Sequence, residues 1–208
     1  MGQKAFLDLL EMYLRELSIS LAETVVLIGD GAKRIWKRVP ALLEQLGCRP
    51  EQIVQILDYC HAKQHLYDLV QAFFGNISQS KGWARKWARK LKQGSVQALV
   101  GELGRLLTQR RAKAPDEFLT QYNYFKVHHQ HGRLAYRRFR TRKLPIGSGS
   151  VESLIRQVVN LRLKGAGKFW LLETAEAFLH ARCQWAAQHW DDFCNGVLTF
   201  GLAPLSTI

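Results

Sequence analysis

The sequence predicts an α/β fold that is mostly helical, with two parallel strands, flanking helices and an all-helical insertion after the second strand. Three observations predict it. Two short β-branched runs, TVVLIGDG at residues 24–31 and IVQILDYC at 53–60, are each followed by a helical pattern. Between and around them, apolar residues recur at helical spacing. From about residue 76 to 143 no strand candidate occurs at all.

In order along the chain, residues 4–19 place Phe6, Leu9, Leu10, Tyr13, Leu14 and Leu17 on one face of a helix. The run ending at Gly29 reads as a buried parallel strand. Residues 32–46 return to helical spacing through Ile35, Trp36, Val39, Leu42, Leu43 and Leu46, and Pro40 is expected to kink or split that helix. Gly47 and Pro50 mark a turn. The second strand runs into a helix expected to start near His61. This order implies neighbouring parallel strands joined by a right-handed crossover, with Asp30 and Asp58 at their carboxyl ends, where such sheets place their sites.

The helical stretch at 76–143 is expected to be an insertion into a core made of residues 1–75 and 144–190, with 191–208 as a loose tail. In WARKWARK, Trp83 and Trp87 make one helix face and basic residues the others; the tryptophans read as core and some of the charges as contacts to a phosphate backbone. Arg133, Arg137, Arg138, Arg140, Arg142 and Lys143 form a second basic run.

The 208 residues carry a formal charge of +13, which favours nucleic acid or an anionic membrane surface as partner, and a basic ribosomal-type or merely soluble surface is the plain alternative. A hydrophobic content of 47% argues for a folded chain. No apolar run reaches the ~18 residues of a membrane span. The amino-terminal sequence has no signal-peptide pattern, so a cytoplasmic protein is expected. The four cysteines form no C-x-x-C pair and read as free thiols.

Leu144 to Trp170 is the most informative stretch. No acid lies between Glu117 and Glu152, so a single carboxylate stands at the mouth of an amphipathic helix in a basic region. Asp30, Asp58 and Glu152 are the candidate acids for phosphodiester chemistry with two divalent ions held ~4 Å apart. Each has a second reading: an Asp-Gly turn for Asp30, a helix cap for Asp58 and a first-turn acid meeting the helix dipole for Glu152. Asp58 could also orient His61, in D-x-x-H spacing, or support a neighbouring metal ligand; His65 would share the His61 face, but no Cys or Glu completes a zinc set.

With these residues in view, the chain resembles a DDE transposase of bacterial insertion sequences, the group related to Mutator-like elements. VVLIGDGAKRIW is similar to the family's second-acid block, ILDYCHAKQHL to its D-x-x-H block, and PIGSGSVESLIRQVVNLRLKGAGKFW to its third-acid block; together they span Thr24 to Trp170. The third block is long and specific, whereas the first two are weak alone. The resemblance implies a partial RNase H-like fold with a helical insertion before the last catalytic helix. It implies that Asp30 and Glu152 are the second and third catalytic acids and hold Mg²⁺ or Mn²⁺. It assigns Asp58 and His61 a supporting role, with Asp58 as second acid the minority alternative. Transposon ends and target DNA are the implied partners, gripped by the 133–143 basic run together with Arg156, Arg162 and Lys164, and the resemblance would make the protein nucleoid-associated.

The family's first acid and its strands would lie upstream of the matched blocks. Asp8, Glu11, Glu16 and Glu23 are the only earlier acids, none on a convincing strand. The expectation is therefore a truncated transposase that binds metal weakly and DNA nonspecifically, is inactive alone, and acts as a homo-oligomer or with a full-length transposase. The alternatives are a non-catalytic DNA-binding or regulatory fragment and an unrelated basic helical binding protein.

Overall fold

A computed structural model describes residues 3–75, 80–109 and 115–201. It forms two compact units, residues 1–148 and 149–208.

In the first unit the elements run α1 (Gln3–Glu16), β1 (Val25–Gly29), α2 (Lys33–Gln45), β2 (Ile53–Leu57), α3 (Tyr59–Phe74), α4 (Ser80–Lys92), α5 (Val96–Gln109), α6 (Asp116–Gln130) and α7 (Tyr136–Thr141). The two strands pair in parallel, with Val25 opposite Ile53 and Gly29 opposite Leu57. The Asp58 N–H donates to the Gly29 carbonyl at 2.8 Å, carrying the ladder one step past the strand ends. Among the described residues β2 is the only strand beside β1. The other edge of β2 is met by a loop: the Leu57 N–H donates to the Arg133 carbonyl at 3.0 Å.

Two expected boundaries move for local reasons. Pro40 lies inside a single helix and does not split it. Trp36, Pro40, Leu42 and Leu43 are all buried on that helix, so packing offsets the missing hydrogen bond. β2 stops at Leu57 because Asp58 turns to cap α3, which begins at Tyr59 and not near His61.

The helices expected as an insertion share one apolar core with the strands. α3 buries Ala62, Leu66, Leu69, Val70 and Phe73 along one face. α4 adds Ala84, Trp87 and Leu91, α5 adds Leu99 and Leu103, and α6 adds Phe118 and Phe125, all continuous with Ile56 and Leu57 of β2. Trp87 is fully buried, whereas Trp83 is partly buried and stacks on Phe74 at 5.5 Å. The opposite face of α4 carries exposed Lys81, Arg85, Lys86 and Arg89.

The second unit begins with α8 (Gly149–Ile155), a turn of π-helical geometry at Arg156–Asn160 and α9 (Leu161–Leu163), followed by α10 (Leu172–Ala186) and α11 (Trp190–Gly201). The segment expected to be a loose tail therefore carries a helix. Asp191 and Asp192 in its first turn complement the helix dipole. Residues 202–208 lie outside the described residues. Arg182 joins the parts of this unit by donating from Nη2 to the Gln157 carbonyl at 3.0 Å.

Candidate functional site at the carboxyl ends of the strands

Asp30 and Asp58 follow Gly29 and Leu57, which are paired residues, so they leave adjacent strands at the same level. Their side chains do different work. Asp30 is exposed, and its Oδ1 accepts the Ala32 N–H at 3.0 Å in an Asx turn. Gly31 has φ +102°, and a Cβ there would lie 2.6 Å from the Tyr124 ring, so the turn needs glycine on both counts. Tyr124 closes the turn by donating its phenol to the Asp30 carbonyl at 3.0 Å.

Asp58 is 1% exposed. Its Oδ1 accepts the N–H groups of Cys60 at 2.7 Å and His61 at 3.2 Å, capping α3. Its Oδ2 accepts the Ser148 N–H at 2.7 Å. Burial alone would raise its pKa, but the hydrogen bonds from Ser148, His61 and Cys60 outweigh it and hold the carboxyl below its ordinary value. The Tyr59 N–H also donates to the Ile146 carbonyl at 2.9 Å. Two bonds therefore fasten residues 146–148 to the end of β2. Asp58 is both a helix cap and the anchor of the turn that leads to the Glu152 helix.

His61 is exposed, with Nδ1 3.6 Å from Asp58 Oδ1. His65 turns elsewhere: its Nδ1 hydrogen-bonds Gln121 Oε1 at 2.8 Å and its ring lies 4.0 Å from that of Tyr124. The two histidines on one helix face thus serve different neighbours. The Tyr124 phenol is pushed well above its ordinary pKa by burial and by the charges of Asp30 and Asp58, so it remains a neutral donor. Both carboxylates act on this one ring.

The basic run divides into two environments. Arg133 is 6% exposed. Its Nε donates to Gln55 Oε1 at 2.8 Å, its guanidinium lies 4.4 Å from the Trp36 ring centre, and burial lowers its pKa. It braces β2 from inside, so its expected place on a phosphate backbone is not where the fold puts it. Arg137, Arg138, Arg140, Arg142 and Lys143 are all exposed. They belong to α7 and the turn after it, held in place by Tyr136, which is fully buried and donates its phenol to the Leu57 carbonyl at 2.9 Å. A groove of about 630 Å³ lies between α7 and the turn after α4, lined by Gln93, Gly94, Ser95, Arg137, Arg138 and Arg142. No carboxylate lines it.

In the second unit, Glu152 is exposed in the first turn of α8, and Arg156, Arg162 and Lys164 are exposed beyond it.

A magnesium pair needs several hard oxygen ligands. In the first unit Asp30 offers one exposed carboxylate already engaged at Oδ1, while Asp58 has both oxygens committed to N–H groups. Among the described residues no group of three or more His, Cys, Asp or Glu could hold a metal ion. The strand-end residues of the first unit do not by themselves fit such a pair. The four cysteines are free thiols, and among the described residues no helix is long and apolar enough to cross a membrane.

What the first unit presents is a pair of strand-end carboxylates, one exposed and one structural, with a basic helix pinned to the same end of β2. Compared with known proteins, the chain matches no family model, no curated protein and no solved structure.

Proposed function

We propose that the chain works on DNA in a DDE-type transposition system and that its own contribution is to grip the phosphate backbone beside the carboxyl ends of β1 and β2. One observation carries this reading. Five exposed cations, Arg137, Arg138, Arg140, Arg142 and Lys143, are clustered on α7 and its following turn, and Tyr136 ties that helix to Leu57, one residue before Asp58. Guanidinium groups suit phosphate because their fork matches its oxygens, and a groove without carboxylates does not oppose a polyanion. The exposed cations of α4 extend the basic surface of the same unit.

The roles of Asp30 and Glu152 as catalytic acids, and of Mg²⁺ or Mn²⁺ as their ion, rest on the sequence blocks. Asp58 contributes by holding the turn at Ser148. A regulatory, non-cutting DNA binder is the second reading, favoured by the full engagement of Asp58 and the turn-making role of Asp30.

Anisotropy of a labelled duplex tests the shared part of both readings. With about three phosphates neutralised, affinity should fall by a few tens of fold between 50 and 200 mM salt. Binding that is absent at low salt, or indifferent to salt, overturns the proposal. Adding Mg²⁺ or Mn²⁺ tests whether the chain is inactive alone: binding without cleavage is the expected result, and strand cleavage would overturn that expectation.

A further inference from the structure

A second cavity, of about 770 Å³, opens between α2 and α6 and is bordered by Gly31 of the Asp30–Gly31 turn. Lys33, Trp36 and Lys37 reach it from α2, spaced three and one residues apart on that helix. Thr120, Tyr124 and Val127 reach it from α6 at helical spacing and His131 from just past that helix, so two helix faces look at each other across it.

Its wall includes Tyr124, Trp36, His128 and Val127, which is 45% exposed although it is aliphatic, and the Arg133 guanidinium, 4.4 Å from the Trp36 ring centre. The rings are fixed: Tyr124 meets His128 edge-on at 4.6 Å and His65 at 4.0 Å, and Trp36 meets His128 edge-on at 5.8 Å. Lys33 and Lys37 stand exposed at the rim, and no Asp or Glu lines the cavity. A preformed apolar slot of this size, with fixed rings inside and cations at the mouth, is the usual shape of a small-ligand site. The chemistry asks for a flat, apolar body that carries an anionic group.

We propose that this cavity binds a nucleotide, its base against Tyr124, Val127 and Trp36, and its phosphate at Lys33 and Lys37. The nucleotide is either free or an unstacked residue of a DNA strand; only the strand-borne form rests on the DNA reading above. The site is separate from the α7 groove and shares no residue with it.

Calorimetric titration of the whole chain with dAMP, with inorganic phosphate as control, tests the site. A single-stranded oligonucleotide carrying one 2-aminopurine, which brightens when unstacked, tests the strand-borne form. Val127→Trp fills the slot and Lys33→Glu/Lys37→Glu reverses the rim; all three positions are exposed, so the fold survives. Binding of dAMP should exceed that of phosphate and weaken about tenfold or more in either variant, as expected from losing one base contact or the phosphate contacts. Brightening abolished by Val127→Trp supports the strand-borne form, and dAMP binding without brightening supports the free nucleotide. If dAMP binds no better than phosphate, or Val127→Trp leaves it unchanged, the proposal is overturned even where duplex binding persists. Loss of duplex binding with dAMP binding intact overturns the DNA reading and leaves the cavity standing.

Discussion

Asp58 shows how one residue can satisfy two readings of a motif. Its D-x-x-H spacing with His61 suggests an acid that orients a histidine, but its oxygens hold the first turn of α3 and the Ser148 N–H. Asp58→Ala removes a helix cap and strands a buried N–H, so it should cost about 2–3 kcal/mol in urea unfolding. Because the folded carboxyl lies below its unfolded value of 3.8, this stabilisation is complete above that pH and is lost as pH falls through the folded pKa. His128 acts in a higher window. Burial, helped by the charges of Arg133, His131 and His65, pushes its pKa from 6.5 down to about 4. Between these values the unfolded chain binds the proton and the folded chain does not, so stability falls as pH drops from 6.5 toward 4. His128→Phe keeps a ring between Trp36 and Tyr124 and should flatten the pH dependence of the urea midpoint across that window. An unchanged slope would show that His128 is not buried neutral.

The elements were legible in the sequence wherever period and composition agreed. β1, α2, β2 and α3 follow from β-branched runs alternating with helical spacing, and the amphipathic face of α4 follows from WARKWARK. Boundaries were less legible because they depend on single contacts. The cap at Asp58 shortens β2, and burial of the Pro40 face keeps α2 whole. The helix at Trp190–Gly201 was missed because its start signal is only the acid pair Asp191–Asp192. The Asp30–Gly31 turn also depends on the third dimension. The dipeptide announces a turn, but only Tyr124, brought from α6, makes glycine obligatory there. Gly31→Ala combines a positive φ with a 2.6 Å approach and should destabilise by about 2–4 kcal/mol, read from the thermal midpoint. A neutral outcome would mean that Tyr124 moves aside at little cost.

At the scale of the molecule, the two-stranded sheet is too small to bury a core, and the helices of residues 80–141 supply what it lacks. Trp87, deep in that core, should cost about 3–5 kcal/mol when changed to Ala and should lower the strand and helix transitions together. Separate transitions would contradict a shared core. The candidate site was legible in part. Charge and spacing pointed to the run from Arg133 to Lys143, but nothing local distinguishes Arg133, which the fold takes inside to Gln55 and Trp36, from Arg137, which it leaves on the surface. The cavity between α2 and α6 was not legible, since it exists only where two distant helix faces meet. The central claim is that the α7 cations grip DNA phosphate. Measuring duplex affinity against salt for the native chain and for Arg137→Gln/Arg138→Gln/Arg142→Gln tests it most directly. The account predicts weaker binding and a salt slope shallower by about 2–3 in the variant; an unchanged slope and affinity would contradict it.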